Sequence, residues 1–256
     1  MSHTINVYSL PSLVSPDELI GGTVVVVDVL RASTTIIHAL EAGAKQVQAC
    51  LEVDDAKQMA NQMTAEDVIL GGERNGLPIE GFKLGNSPNE YEPHIVGNKT
   101  VIITTTNGTR AIAHCHKAKR VILGAFVNAS AICRDLIGQQ TVAIVCAGTD
   151  GEISSDDVLL AGLMVDRLQR HGDINFKLNS QAITAREQWL SLFALPVSLG
   201  GEPLEPEKLA KPLSKSLGGR SLVDLGLMND IVDSARIDRF DSVPEVDTET
   251  LRIHLS

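Results

Sequence analysis

Aromatic side chains are scarce in this chain: one Trp, two Tyr and five Phe, 3% of the residues. That leaves no set of ring platforms on which unpaired bases could stack. Positive charge is also in deficit. Lys plus Arg number 22 against 32 Asp plus Glu, a formal charge of −10, so bulk attraction to nucleic acid or to an anionic membrane surface is excluded as a binding mode. Long apolar runs are missing. The longest clear one, residues 24–27, falls far short of the ~18 residues that a membrane span requires. The first residues carry neither the basic cluster nor the apolar stretch of a secretory signal. The four cysteines, Cys50, Cys115, Cys133 and Cys146, form no Cys-x-x-Cys pair and lie near apolar segments. They read as reduced thiols of a cytoplasmic protein rather than as bridges.

What remains is an ordinary folding composition, 43% hydrophobic and 21% charged over 256 residues. This is enough chain to bury a core without disulfides or a structural metal, as one large domain or two small ones. An anionic ligand on so acidic a protein needs a local site built of backbone N–H groups, a few arginines or a metal.

The hydrophobic pattern is that of an α/β protein. Residues 23–28, Thr-Val-Val-Val-Val-Asp, form a continuous β-branched run, the mark of a strand covered on both faces. A helix is predicted over 34–42 with Gly43 as its stop, a strand over 46–51, a helix over 54–63 and a short strand over 68–70 that ends at Gly71-Gly72. Residues 71–93 break the pattern with a Gly-, Pro- and Asn-rich loop, longer than the ~4–6 residues of most connections and therefore a candidate functional loop. The alternation then restarts with a strand over 100–106, a helix over 108–116 and a strand over 121–123. Segments 23–47 and 100–121 resemble each other, the second being three residues shorter at its strand-to-helix turn. Either a duplicated βαβ unit or two independent ones accounts for this. A further strand over 141–147 leads to a helix over about 156–171. Residues 184–195 read as helix, 200–211 as loop and 218–233 as a turn followed by a short helix. The tail from 242 reads as an edge strand.

Polar residues collect where the strands end, which is where open α/β sheets place ligands. The first cluster is Asp28-Val-Leu-Arg31-Ala-Ser33-Thr34-Thr35, a carboxylate followed by an arginine and hydroxyls at a helix start. It suits an anion; equally, a structural Asp28–Arg31 pair and plain capping by Ser33 or Thr34 would explain it. The second is Thr104-Thr105-Thr106-Asn107-Gly108-Thr109-Arg110, where Asn-Gly also suits an ordinary turn. The third is Cys146-Ala-Gly148-Thr-Asp150-Gly-Glu152-Ile-Ser-Ser155-Asp156-Asp157, with more carboxylates than capping needs and oxygen ligands suited to Mg²⁺. The fourth is Glu73-Arg74 in the long loop. Several hydrolase signatures are absent. Position 152, six residues after Cys146, is Glu rather than the Arg of a cysteine-phosphatase loop. Asp28 has no second Asp two residues on, and neither a P-loop nor a Gly-x-Ser-x-Gly elbow occurs.

In this order the motifs resemble the 2-phosphosulfolactate phosphatase family. They are Val-Asp28-Val-Leu-Arg31-Ala-Ser33-Thr34-Thr35, Gly-Glu73-Arg74-x-Gly76 with Gly81-Phe-x-x-Gly85-Asn86-Ser87-Pro88, Thr-Asn107-Gly108-Thr109, Gly124-Ala-Phe-x-Asn128-Ala and Cys146-Ala-Gly148-Thr-x-Gly151. The resemblance covers about residues 6–235, including a closing segment over 219–230. One departure is Ser155-Asp156-Asp157, where a Glu-Asp pair is expected. The resemblance implies a layered α/β/α protein of two related halves with the site in the cleft between them. It would be one phosphatase domain over 1–256, with two similar subdomains at about 1–95 and 96–256.

It also implies a Mg²⁺-dependent enzyme that converts (R)-2-phospho-3-sulfolactate to (R)-3-sulfolactate and phosphate, on the way to coenzyme M. Rival readings are a phosphohydrolase of another small phosphorylated acid and a non-catalytic binder of such an acid. On this reading Asp28, Glu152, Asp156 and Asp157 are the candidate metal ligands. Arg31, Ser33, Thr34, Glu73, Arg74, Asn107, Gly108, Thr109, Asn128 and Gly148 are the candidate substrate contacts. Asp28, Glu152 and Cys146 are the candidate catalytic groups, with water favoured as nucleophile and Cys146 as the rival. A homodimer is a common assembly for α/β enzymes of this size.

Overall fold

The computed structural model describes residues 3–170, 175–198 and 204–255. His171 and residues 200–203 of the sequence expectations lie outside these. In chain order the elements are β1 (His3–Tyr8), β2 (Thr23–Val27), α1 (Ala32–Glu41), β3 (Gln46–Ala49), α2 (Val53–Asn61), β4 (Val68–Arg74), β5 (Leu77–Pro78), α3 (Pro93–Val96), β6 (Thr100–Thr104), α4 (Gly108–His114), β7 (Arg120–Gly124), α5 (Ala129–Leu136), β8 (Thr141–Cys146), α6 (Ser155–Arg170), β9 (Phe176–Leu178), α7 (Ser180–Ser198), α8 (Pro206–Leu213), α9 (Leu217–Asp224), α10 (Met228–Ser234), β10 (Pro244–Asp247) and β11 (Arg252–Leu255). One sheet of eleven strands has the order β5-β4-β6-β3-β11-β10-β7-β2-β8-β1-β9, and helices cover both faces.

The β-branched run does what its pattern requires. Val25 and Val27 enter the core under α5, α6 and α7, while Val24 and Val26 enter the core under α1 and α4. No residue of β2 is exposed, so alternation survives as a choice between two apolar layers rather than between core and water. Among the described residues no helix is long and apolar enough to cross a membrane. All four cysteines are free and buried.

The tail departs from its expected place. Instead of an edge strand it is an antiparallel hairpin, β10–β11, inserted in the middle of the sheet between β7 and β3. Val246 and Ile253 are buried there. Alternation over such short stretches shows a strand but not its neighbours, which is why the position was illegible. The strand over 68–70 runs on to Arg74, because Gly71 and Gly72 permit close approach instead of stopping it. A Cβ on Gly72 would lie 2.0 Å from the Thr104 carbonyl oxygen. The long loop thus begins as a β4–β5 hairpin. The described part of 200–211 holds a helix, α8, whose Pro206 sits at the start, where a missing N–H costs nothing. The short helix expected within 218–233 is α10, and the turn expected before it is also helical, α9, with Ser216 as N-cap accepting from the Gly219 N–H at 2.9 Å.

The sheet order is symmetric about the hairpin. The unit β2-α1-β3-α2-β4 and the unit β6-α4-β7-α5-β8 occupy mirrored places, so β6 answers β2, β3 answers β7 and β4 answers β8. The sequence similarity of the two segments has this structural counterpart. Each half of the sheet takes strands from both units. Three consecutive antiparallel pairings, β7–β10, β10–β11 and β11–β3, make the strands of one half run opposite to those of the other. In a flat sheet their C-terminal ends would face opposite edges. Here the residues after β2, β4, β6 and β8 line one cavity, so the sheet must coil strongly, as twisted sheets do.

Candidate active site

The cavity has a volume of about 170 Å³ and takes wall residues from both halves, among them Asp28, Arg31, Glu73, Asn86, Asn107 and Thr149. Helix α9 closes one side, with Gly218, Ser221 and Leu222 in the wall. The two repeated units meet at its floor. A Cβ on Gly108, the first residue of α4, would stand 2.4 Å from the Ala32 Cβ and 2.6 Å from Asp28 Oδ2. Only glycine lets the starts of α1 and α4 approach this closely.

Asp28 is buried, and its Oδ1 accepts from the Ala32 N–H at 3.0 Å. Its Oδ2 has no hydrogen-bond donor among the described residues. Burial pushes the carboxyl up to about 7, and the charges of Asp156 and Glu73 add to this; the Ala32 N–H and Arg31 oppose it. Asp156 and Asp157 are likewise buried, and their carboxyls are raised chiefly by desolvation. Asp157 is a clamp: Oδ1 accepts from the Val29 N–H at 2.8 Å and Oδ2 from the Gly148 N–H at 3.0 Å, tying the ends of β2 and β8. Asp156 accepts from the Ser154 hydroxyl. Glu73 spans the other half, accepting from the N–H groups of Thr106 and Gly76 at 2.7 Å each.

Arg31 is the cationic member of the wall. It pairs with Asp230 at 2.6 Å, both side chains 4% exposed, and donates to the Gly76 carbonyl at 2.9 Å. The second oxygen of Asp230 accepts from the Ser87 hydroxyl at 2.5 Å. Asn86 is buried in the wall, and its Oδ1 has no hydrogen-bond partner. An orphaned buried acceptor is costly unless something supplies a donor or a cation.

The other expected site residues fall into two groups. Asn107 lines the cavity and its Oδ1 accepts from the Asp150 N–H at 3.2 Å. Gly108 and Gly148 shape the floor and the strand-end turn as described. The rest are held elsewhere. Ser33 accepts from the Asp28 N–H at 3.0 Å, the Thr34 hydroxyl donates to the Val29 carbonyl at 2.8 Å, and the Thr109 hydroxyl to that of Thr105 at 2.9 Å, so these hydroxyls hold turns. Arg74 points to the Leu51 carbonyl and the Thr104 hydroxyl, bracing strand ends. Asn128 is buried at the end of β7, bonded to Ala125, Leu123 and Ser242. The Glu152 side chain is exposed on the 149–152 turn. Cys146 is fully buried in the apolar core, and burial together with Asp157 and Asp156 holds its thiol far above the usual range. Sequence reasoning placed Thr105 in the second cluster but did not single out Asp230, Asn75 or Ser221. Asn75 sits in the Glu73-Arg74 motif and Ser221 and Asp230 in the closing segment, but nothing local marks Asp230 as the partner of an arginine 199 positions away.

Among the described residues no three His, Cys, Asp or Glu side chains stand together at metal-ligand spacing. Mg²⁺ does not require them, since it usually takes one or two protein carboxylates with water and substrate phosphate. The uncommitted oxygens of Asp28 and Asn86 are hard donors of that kind.

Comparison with known proteins places the chain. The sequence profile described as 2-phosphosulpholactate phosphatase matches residues 8–249. A probable 2-phosphosulfolactate phosphatase of Caldanaerobacter subterraneus subsp. tengcongensis is 36% identical over 249 residues, 97% of each chain. One of Clostridium novyi, with the same description, is 37% identical over 224 residues, 87% of this chain and 88% of the relative.

Proposed function

This chain belongs to the 2-phosphosulpholactate phosphatase family, and we propose that it hydrolyses (R)-2-phospho-3-sulfolactate to (R)-3-sulfolactate and inorganic phosphate with Mg²⁺ as cofactor, the step that leads toward coenzyme M. The observation that carries this reading is the charge imbalance of the cavity. Three carboxylates, Asp28, Glu73 and Asp150, line it against one arginine that is already neutralised by Asp230. A phosphate ester enters such a cavity only together with a cation. Asp28 through its free oxygen and Asn86 through its orphaned one would hold that cation. Bound there, it would supply charge neutralisation of the phosphoryl oxygens and a water of lowered pKa.

The side chains of the protein divide the remaining work. Arg31, fixed at two of its N–H groups, keeps others for the phosphoryl oxygens. Leu30 and Leu222 are the apolar part of the wall, and a drier wall strengthens each charge contact inside it. Glu73 and Asp157 position backbone rather than substrate. Attack by water at phosphorus, with departure of the sulfolactate oxygen, needs no protein nucleophile, which accords with a thiol at Cys146 that stays protonated.

The test is phosphate release from 2-phosphosulfolactate by metal-stripped protein, with Mg²⁺ added back and with EDTA, beside a panel of small phosphomonoesters. Turnover that requires Mg²⁺ and prefers the sulfonated ester is the expected result. Preference for another phosphorylated acid would reassign the substrate, and binding without turnover would make the protein a ligand binder.

A further inference from the structure

The inner cavity, at about 170 Å³, is smaller than the roughly 300–1,000 Å³ of common small-ligand pockets. The ester assigned above carries three anionic groups on a three-carbon frame, and only one of them reacts. The wall offers one cationic side chain, Arg31, already bound to Asp230. There is space and countercharge for the phosphoryl group with its cation, and none for the two other anions.

A wider groove of about 510 Å³ begins where this cavity ends, with Thr106, Asn107 and Asp150 forming the wall common to both. One side of the groove is α4, which contributes Arg110 and His114. Four residues apart, they stand one above the other on a single helix face. His114 is fixed, its Nε2 lying 2.9 Å from the Val14 carbonyl oxygen. Arg110 is not fixed. Its one ion-pair partner among the described residues is Glu52 at 3.9 Å, with both side chains 64% exposed, a contact of little energetic weight. Arg31, Arg74 and Arg120, by contrast, are each held by two or more hydrogen bonds. A guanidinium fork therefore stands uncommitted at the mouth of a cavity that has too little positive charge for its ligand.

We propose that Arg110 is a specificity-determining residue that receives the sulfonate of the substrate in this outer groove. The inference rests on the phosphatase reading above. The carboxylate shares its carbon with the phosphate ester and so stays near the junction of the two chambers. The sulfonate, one carbon further on, is the group that reaches the groove, and its oxygens match the two-pronged donor geometry of arginine.

Two measurements decide it. The first compares kcat/KM of the wild type, Arg110→Ala and Arg110→Lys on 2-phosphosulfolactate and on 2-phospholactate, which has a methyl group in place of the sulfonate-bearing carbon. Arg110→Ala should lose on the order of 30- to 100-fold on the sulfonated ester, the range of a charged hydrogen-bond pair, and stay within about threefold on phospholactate. Arg110→Lys should fall between. Equal losses on both esters, or no loss on the sulfonated one, overturn the assignment. The second measurement is the rise in Tm produced by 3-sulfolactate and by lactate. Sulfolactate should stabilise the wild type and do so less in Arg110→Ala. A wild type that hydrolyses neither ester refutes the assigned reaction but leaves this second measurement standing. There, a rise that survives Arg110→Ala, or no rise in the wild type, refutes the role of Arg110.

Discussion

Replacing Asp28 by Asn should stabilise the metal-free protein above neutral pH while removing its activity. The carboxyl is pushed from 3.8 up to about 7, first by burial and then by Asp156 and Glu73, with the Ala32 N–H and Arg31 opposing. A folded-state pKa above the unfolded one means that the stability contributed by the protonated form is complete below 3.8 and is lost as pH rises through about 7. Each unit in that window is worth about 1.4 kcal/mol, so the ionised Asp28 costs about 4 kcal/mol at most. Asn removes the ionisation and keeps an oxygen for the Ala32 N–H. It also loses the attraction to Arg31, and neighbouring carboxyls share the relief, so about 2 kcal/mol is the expected gain at pH 8.5. At pH 5 the folded wild type still carries the proton but the unfolded chain has lost it. A little over a third of the window from 3.8 to about 7 is then already spent, and the two proteins should differ by about 0.8 kcal/mol. The assay is urea unfolding in EDTA. With a slope of about 3 kcal/mol/M, the midpoint of Asp28→Asn should lie about 0.7 M higher at pH 8.5 and only about 0.25 M higher at pH 5. A lower midpoint at pH 8.5, or an equal shift at both pH values, would refute the electrostatic account of the site.

The same titration bears on metal. Protons compete for Asp28, so the Mg²⁺ affinity, followed by calorimetry, should rise up to tenfold per pH unit below about 7 and level off above it; a flat profile would remove Asp28 from the metal site. Asp230→Asn strands a buried guanidinium and should destabilise by about 3–5 kcal/mol in urea unfolding. Where it still folds, it should raise KM more than it lowers kcat, and unchanged stability and KM would show that the pair is idle. Gly108→Ala forces Cβ against Ala32 and Asp28 and should lose about 1–3 kcal/mol in thermal unfolding together with most activity. Cys146→Ala should cost about 1–2 kcal/mol of core packing and keep kcat within a few-fold. A phosphocysteine trapped by acid quench of the wild type would reverse that reading.

Much of the fold was legible because local periodicity decides it. The run at 23–28, the Gly43 stop and the acidic start of α6 became the expected elements within a few residues. What escaped depended on partners distant in sequence. The short β10–β11 segment announces strand, yet only the pairings with β7 and β3 make it the seam of the sheet. The same seam reverses one half of the sheet against the other, which no local pattern encodes. Gly71-Gly72 had two meanings, turn or close approach, and the Thr104 backbone on the neighbouring strand selected the second.

At the site the motifs identified where chemistry gathers but not which atoms face the ligand. Nearly every motif hydroxyl is consumed by backbone: Ser33, Thr34 and Thr109 close their own turns. Asp157, which reads as a metal ligand beside Asp156, spends both oxygens on N–H groups of two different strand ends. Residue type and spacing are the same for a carboxylate that binds backbone and one that binds a cation. Only the count of donors around each oxygen separates them. By that count Asp28 keeps one free oxygen and Asn86 one orphan. Asp28 follows β2 in one half of the sheet and Asn86 follows the β4–β5 hairpin of the other. The two oxygens proposed to hold the cation therefore come together only when the two halves close on each other, and a fragment containing one half should bind no Mg²⁺ at this place.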